Sequence, residues 1–385
     1  MTQIPSTRVG IVADDLTSAT DGAAPFLAKG YTPSITRHGT VLTQASVVSI
    51  DTHGRASTGT QAAILTARAI KALRDCRILL KTIDSTLRGH IREEIIAAFQ
   101  SSGRRRLIIA PAFPDAGRLT IGGLQIVHGI PVSDSDYGSD PVLPSRISRI
   151  ADLIDPSLGS PIVLPLNAPY EVITQAAGAR IVILDADSQE TLNRQVACIP
   201  APEAVLWVGS PGLAIALASL VPSALSERPV GNDVVRRALI VAGSTNPVTH
   251  AQCNTLRAAK IPVVPDIAYA PRDAPVLCLC APQQRQRDAI AMVRTMAEQA
   301  TSASARKDYG VIIATCGETI SAILDRLGIS RFILLHELEP GFPVGLAEQE
   351  DGTPLTIAMK AGGFGSPATL LHAVNVLTAR KGYYR

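Results

Sequence analysis

Short runs of aliphatic and β-branched residues alternate with longer stretches of helical spacing along almost the whole chain, the pattern of a parallel sheet joined by crossover helices. In the first half, RVGIVA (8–13), ASVVSI (45–50), RILLKT (77–82), RLIIA (106–110), IVILDA (181–186) and AVLWVG (204–209) predict strands. The stretch 57–75, rich in Ala, Ile and Leu, and residues 89–102 predict helices between them. A segment rich in Ser, Pro, Gly and charge, SALSERPVGNDVVRR (223–237), then interrupts the pattern and reads as a linker. Beyond it the alternation restarts with ALIVAG (238–243), VLCLC (276–280), GVIIAT (310–315), RFILLH (331–336) and LTIAMK (355–360), with helices expected over 283–300 and 367–380. The expected architecture is therefore two α/β domains, 1–228 and 229–385, each a largely parallel sheet flanked by helices.

Composition agrees with this division. At 385 residues, 46% of them hydrophobic, the chain has enough apolar material for two packed cores and is long for one. The formal net charge is only +3, and Lys and Arg are scattered apart from GRRRL at 103–107. That run reads as a solvated turn between helix and strand, because no basic stripe with interleaved aromatics accompanies it, and nucleic acid is not an expected partner. MTQIPST at the start has no apolar core of a signal peptide, and no stretch approaches the ~18 uninterrupted apolar residues of a membrane span. A cytoplasmic protein without membrane contact is the expectation. The six cysteines include no C-x-x-C pair and the seven histidines no H-E-x-x-H, so neither a disulfide framework nor a metal site built by the protein is expected.

The candidate chemistry lies where strands end. In an open α/β sheet, ligands sit beyond the carboxyl ends of the strands. Asp14 and Asp15 follow GIVA directly, and Thr17 or Ser18 could cap the next helix, with Gly30 ending it. One acid could serve as a cap; a pair invites a second role. The adjacent acids lack the D-x-D spacing of haloacid dehalogenase phosphatases. The third strand leaves the sheet through LLKTIDSTLRGHIREE (79–94), which gathers Lys81, Asp84, Ser85, Thr86 and Arg88 before Gly89 and a helix, a set suited to a small anion with several hydroxyls. SIDTHGRAS (49–57) adds Asp51, His53 and Arg55 to the same rim, and APAFPDAGRLTIGG (110–123) reads as a rigid loop beside it or a structural turn.

No G-x-x-x-x-G-K-[ST] motif exists, which excludes a Walker-type loop. The candidate phosphate loop is AMKAGGFGSPATLLHAV (358–374), a strand, a turn with glycines at 362, 363 and 365, and a helix, with Lys360 as a point charge. Gly363-x-Gly365-x-x-Ala368 also matches a relaxed dinucleotide fingerprint, but too little chain follows to supply a further strand and a ribose-binding acid. VAGSTNPVTHAQ (241–252), with Ser244, and ATCGETIS (314–321), with Gly317, Glu318 and Thr319, form two similar corners.

Through ADDLTSATD, KTIDSTLRG, APAFPDAGRLT, AGSTNPVTHAQ, TCGET and KAGGFGSP, in this order over nearly the whole chain, the sequence resembles the four-carbon acid sugar kinases. The resemblance implies transfer of phosphate from ATP to O4 of D-threonate, D-erythronate, L-threonate or a 3-oxo-tetronate, with D-threonate or D-erythronate favoured. It implies a sugar-acid-binding amino-terminal domain and a nucleotide-binding carboxy-terminal one, with the active site in the cleft between them. The substrate contacts it implies fall on Asp14 or Asp15, Arg55 and the stretch from Lys81 to Ser85; Thr86 and Arg88 complete the candidate set. Asp14, Asp15 and Asp84 are the candidate catalytic acids, with Arg55 and Lys81 expected to hold the substrate carboxylate. The ATP contacts implied are Ser244, the turn Cys316, Gly317, Glu318 and Thr319, and Gly362, Gly363 and Gly365. Mg²⁺ is expected to bind mainly through the ATP phosphates, and a homodimer is allowed. The chain departs from the family at Cys316, where a pair of glycines is usual, and in LTSATD, where LTGA-D is commoner. A two-domain sugar-acid sensor without catalysis and an NAD-dependent dehydrogenase are the alternative readings.

Overall fold

The first strand, Val9–Ala13 (β1), is buried along its full length and pairs in parallel with a strand on either side, which is why its five residues carry no polar alternation. The computed structural model describes residues 9–38, 45–140, 143–176, 178–224, 237–271, 273–282, 289–307 and 309–379. The chain divides into two compact units, Met1–Ser226 and Glu227–Arg385. The expected linker falls almost wholly within 225–236, outside the described residues.

In the first unit the remaining strands are Ser34–Arg37 (β2), Val47–Asp51 (β3), Ile78–Thr82 (β4), Arg106–Ala110 (β5), Arg118–Ile121 (β6), Leu124–Val127 (β7), Ile130–Pro131 (β8), Ile162–Leu164 (β9), Ile181–Leu184 (β10) and Val205–Gly209 (β11). Its helices are Leu16–Ala23 (α1), Gly59–Leu73 (α2), Ile91–Ser102 (α3), Tyr170–Ala176 (α4), Gln189–Ala197 (α5) and Pro211–Ala218 (α6). Eight strands form one sheet in the order β2-β3-β1-β4-β11-β5-β10-β9, parallel throughout. The small strands β6, β7 and β8 make a separate antiparallel sheet. The stretch read as a rigid loop thus contains a strand and the turn of a hairpin: Arg118–Ile121 pairs with Leu124–Val127 around Gly122 and Gly123.

The second unit has strands Ala238–Ala242 (β12), Val263–Val264 (β13), Val276–Cys280 (β14), Val311–Thr315 (β15), Arg331–Glu337 (β16), Pro343–Glu348 (β17) and Pro354–Lys360 (β18). Its helices are Pro247–Ala258 (α7), Ala289–Lys307 (α8), Gly317–Arg326 (α9) and Thr369–Thr378 (α10). The strand order is β13-β14-β12-β15-β18-β17-β16. The first five of these run parallel, while β17 is antiparallel to both β18 and β16. The antiparallel β17, PVGLAE, opens on Pro and contains Gly, which is why its hydrophobic pattern gives no strand signal.

Each unit has its own core. On one face of the first sheet, β1, β3, β4, β5, β10 and β11 bury Val12, Ile50, Leu79, Leu107, Ile183 and Leu206 under α2 and α3, which contribute Ile70, Leu73, Ile95 and Phe99. In the second, Ile240, Cys278 and Ile313 pack with Cys253 and Leu256 of α7 and Leu370 and Ala373 of α10. Among the described residues no disulfide joins the cysteines, and Cys253, Cys278 and Cys280 act as small buried apolar groups.

Connectivity locates two crevices. From β1 the chain proceeds to β2 on one side of the sheet, whereas from β4 it proceeds to β5 on the other. The ends of β1 and β4 therefore flank a topological switch point, where helices diverge and leave room for a ligand. In the second unit the chain leaves β12 toward β13 and β14, and leaves β15 toward β16 beyond β18, so a second switch point lies between β12 and β15.

Candidate active site

Asp14 is the first residue after β1 and is 2% exposed. Arg55, presented by the loop after β3, reaches it with a two-pronged contact: Nε donates to Asp14 Oδ2 at 2.7 Å and Nη2 to Oδ1 at 2.9 Å. The loop is fixed by backbone bonds from Arg55 N to Asp14 O and from Thr52 N to Ala13 O. Arg55 Nη1 also donates to Asp15 Oδ2 and lies 3.6 Å from Asp84 Oδ2, and Nη2 reaches Ser18 Oγ at 3.2 Å. One guanidinium thus gathers three carboxylates from the ends of two strands.

Asp15 has two tasks. Its Oδ1 accepts from Ser18 N at 2.7 Å, making it the N-cap of α1, while Oδ2 faces Arg55. Thr17 and Ser18, expected to cap this helix, do not, because the helix starts immediately after the acid pair; a short 3₁₀ turn, Ala24–Lys29, follows α1, and Gly30 ends that turn in the left-handed conformation. With its side chain 25% exposed, Asp15 is the most accessible of the three acids.

Asp84 closes the constellation. Its Oδ1 accepts from the backbone N of Thr86 at 2.7 Å and from the Thr86 hydroxyl, and its Oδ2 accepts from Arg88 Nη2 at 2.6 Å. Burial alone would push its carboxyl upward, but Arg88, Arg55 and the Thr86 donors outweigh it and hold the group at about 2. Asp14 likewise stays below the usual carboxylate range: burial opposes ionisation, and Arg55 and Lys81 overcome it. The loop bearing Ser85 and Thr86 is anchored from the small sheet, where Gln125 Nε2 donates to Ser85 O at 2.7 Å, and Ser145 Oγ donates to Thr86 O at 2.5 Å.

Lys81 does not reach the rim. It is fully buried, its Nζ lies 3.2 Å from Glu94 Oε2 of α3 and donates to Thr82 O at 2.6 Å, and Glu94 is itself 1% exposed. Its position on β4 points it into the protein beneath Asp14, so it supports the acids electrostatically rather than meeting a ligand as expected. Burial, against the pull of Lys81, raises Glu94 to about 7. Arg55, also expected as a carboxylate clamp, already spends its donors on Asp14, Asp15 and Ser18. Arg88 is the more accessible cation, its side chain 33% exposed and its guanidinium 5.5 Å from the Tyr137 ring. Arg118 lies at the same ring and donates to the Tyr137 hydroxyl at 3.0 Å.

Asp51 ends β3 and is fully buried; Oδ1 accepts from His53 N at 2.8 Å, while Oδ2 has no hydrogen-bond partner. Burial pushes it up to about 6. His53 is exposed, turned outward by a left-handed backbone, φ 54°. The residues that sequence reasoning missed are Glu94, Gln125, Tyr137 and Arg118. Only Glu94 carried a signal, an acid in the first turn of a helix behind a charged strand end.

In the second unit the three expected corners meet on the adjacent strands β12, β15 and β18. Ser244 N donates to Thr315 Oγ1 at 3.4 Å, Thr249 Oγ1 donates to Gly362 O at 2.8 Å, and Gln252 Nε2 donates to Phe364 O and Ser366 O at 3.0 Å. A Cβ on Gly362 would sit 2.0 Å from Ser244 Oγ, and one on Gly243 would sit 2.0 Å from Thr319 Oγ1, so both positions exclude a side chain. Thr319 Oγ1 is buried without a hydrogen-bond partner, and Glu318 is exposed at the start of α9. Gly363 and Gly365 are exposed, Gly365 with φ 87°. Lys360 is 2% exposed and donates to Ala361 O; burial lowers its ammonium to about 8, against the opposing pull of Glu339. Cys316, whose N donates to Lys360 O at 2.8 Å, sits immediately before Gly317 with φ 84° and ψ 128°, a backbone that strains a residue carrying a Cβ and that glycine adopts without a steric clash. Burial raises its thiol to about 11.

In comparison with known proteins, the chain matches two family models. One, described as a sugar-binding N-terminal domain, matches residues 9–217, and a second, a nucleotide-binding C-terminal domain, matches residues 272–370. A D-threonate kinase from Cupriavidus necator is 32% identical, covering 96% of this chain and 97% of its own. The crystal structure of a Salmonella typhimurium LT2 protein shares the fold with a TM-score of 0.78 at 22% identity, over 95% of this chain and 98% of that one. A Bordetella bronchiseptica domain of unknown function, solved with bound citrate as a domain-swapped dimer, matches with a TM-score of 0.50 at 27% identity, over 98% of this chain and 100% of that one.

Proposed function

This chain belongs to the four-carbon acid sugar kinase family and is an ATP-dependent sugar acid kinase, and we propose that its substrate is D-threonate, phosphorylated at O4 by the γ-phosphate of ATP. The observation that carries the reading is the constellation of Asp14, Asp15, Asp84, Arg55 and Arg88 at the switch point of the first unit. It sums to three negative and two positive charges, a site that suits a polyhydroxy acid better than a bare anion. Its carboxylates accept hydrogen bonds from hydroxyls, while an accessible arginine takes the acid group.

Phosphoryl transfer asks of a protein positioning and charge neutralisation rather than covalent help. Asp15, the most accessible of the three acids, receives the O4 hydroxyl and takes its proton as the oxygen attacks; such a base contributes on the order of 10²–10⁴ in rate. Arg55 holds Asp15 and Asp14 in place and favours the ionised form of Asp14. Arg88, beside Tyr137, binds the substrate carboxylate, while Lys81 and Glu94 form the buried floor. The D-threonate assignment draws support from the name of the Cupriavidus relative, and the citrate in the Bordetella structure, a hydroxy acid, accords with a site of this character.

In the second unit the backbone of Gly362, Gly363 and Gly365, the hydroxyl of Ser244 and the amino end of α9 would receive the ATP phosphates, with Lys360 as the neighbouring cation. Mg²⁺ would come with the nucleotide and neutralise its phosphates. The donors at this site, hydroxyls, backbone N–H groups and an ammonium, suit phosphate oxygens, and among the described residues no group of three or more His, Cys, Asp or Glu is arranged to hold a metal. We take the enzyme to be a homodimer, in keeping with the Bordetella structure, and cytoplasmic.

Release of ADP by the purified protein with ATP and Mg²⁺, tested separately with D-threonate, D-erythronate, L-threonate and a 3-oxo-tetronate, tests the reading. D-threonate is expected to give the highest kcat/KM, with the phosphate on O4 by ³¹P and ¹³C NMR. A different preferred acid would replace the substrate, and no substrate-dependent ADP with any of the four would end the kinase assignment.

A further inference from the structure

The GRRRL run at 103–107 turns out not to be an isolated solvated turn. The parallel sheet brings together, at the edge opposite the catalytic rim, the segments that enter β4, β5, β10 and β11. These carry Arg74, Arg104, Arg105, Arg106, Arg180 and Glu203, which line one cavity of about 830 Å³. That volume is within the range of sites for small molecules. Five guanidiniums face a single lining carboxylate. The nearby Asp75 lies 3.9 Å from Arg74 Nε but is 97% exposed.

Part of this cluster is held in place. Arg104 Nη2 donates to Arg74 O at 2.9 Å and to Cys76 O, and Arg106 Nη2 donates to Pro200 O at 2.6 Å. Arg180 stacks 5.5 Å from the Phe99 ring. Arg104 Nε is buried and has no hydrogen-bond partner, a donor left for something the chain itself does not supply. Arg105 and Arg180 are exposed and line the same cavity. Five like charges in one concavity repel one another, and the guanidinium fork matches the oxygens of phosphate in pairs. The opposite end of the same strands carries Asp14 and Asp84, and a five-residue strand separates the two edges by about 16 Å.

We propose that this arginine cavity is a second anion site, separate from the tetronate and nucleotide sites, that binds a small molecule bearing two or more phosphate groups. The site stands apart from the choice of sugar acid and does not depend on the reaction assigned above.

Calorimetry with inorganic tripolyphosphate tests it, performed with a saturating non-hydrolysable ATP analogue and Mg²⁺ so that the nucleotide corner is filled. The expected result is binding of one tripolyphosphate per chain, weakened at least tenfold in Arg105→Glu/Arg180→Glu and steeply weakened by salt. Both substitutions are at exposed positions, so the thermal melt and D-threonate kinase turnover of the variant should match the wild type. Absence of binding, or binding unchanged in the variant, overturns the site. Equal affinity for citrate overturns the phosphate assignment, as does binding of a single-stranded RNA oligonucleotide without binding of tripolyphosphate.

Discussion

Replacing Cys316 by glycine should stabilise this protein, an unusual outcome for deleting a side chain beside a binding site. Cys316 occupies φ 84° and ψ 128°, where its Cβ crowds the backbone. A non-glycine residue with positive φ costs about 1–2 kcal/mol, whereas glycine costs about 0.5–1 kcal/mol through its freedom in the unfolded chain. The balance is a gain of about 0.5–1 kcal/mol, or roughly 1–4 °C in the melting of a unit of this size. The contact from Sγ to Glu318 Oε2 at 3.7 Å is lost as well. Cys316→Ala loses that contact too but keeps the Cβ, so the difference between the two variants isolates the backbone. Differential scanning calorimetry of wild type, Cys316→Ala and Cys316→Gly should place the glycine variant highest and the alanine variant at or below wild type. If alanine and glycine melt together, the backbone at 316 is not strained and the reasoning fails. The glycine variant should also show a lower KM for ATP, since the turn can then approach a phosphate more closely.

Asp15→Asn should lower kcat by about 10²–10⁴ with ATP affinity unchanged, and steady-state kinetics with a separate nucleotide titration would show an untouched kcat if Asp15 has no role. Gly362→Ala places a Cβ 2.0 Å from Ser244 Oγ and should raise KM for ATP at least tenfold while leaving binding of D-threonate intact. Lys81→Met strands a buried carboxylate and should destabilise by about 3–5 kcal/mol in urea, while Lys81→Met/Glu94→Leu recovers most of that loss; equal losses in both would mean that the pair is not the source. Glu94, raised from 4.5 to about 7, favours folding fully below about 4.5 and loses that contribution as pH rises through 7. Asp84, lowered from 3.8 to about 2, contributes above 3.8 and loses its share as pH falls through 2. Urea midpoints against pH should flatten in the first window for Glu94→Gln and in the second for Asp84→Asn.

Most of this was legible in the sequence because buried parallel strands write themselves as uninterrupted apolar runs. β1, β3, β4, β5, β10, β11, β12, β14, β15, β16 and β18 fall on the expected segments within a residue or two. β2 was not legible, because SITR carries three polar residues that the sheet buries, Arg37 included. The ends of β1 and β4 could be read as a site from their charge density. Which charge pairs with which could not, since Arg55 lies forty residues from Asp15, and only the register of β1 against β3 brings them together. Lys81 misled because strand alternation sends it inward beneath the rim, while Arg88, past the end of the ladder, is free to face outward. Tyr137 and Arg118 belong to the small antiparallel sheet and its following turn, whose short strands and glycines resemble any loop.

In the first unit the ladder of β1 ends before the acids proposed for the chemistry: β1 pairs only to Ala13, and Asp14 and Asp15 follow. Under the proposed function, substitutions in those trailing residues would alter what the crevice accepts without touching a ladder bond of β1. A lineage built on such a scaffold can exchange one hydroxyl configuration for another, or an alcohol for a ketone, while its strand pairing stays intact. Diversity of acceptor on a constant frame is the evolutionary signature that this geometry favours.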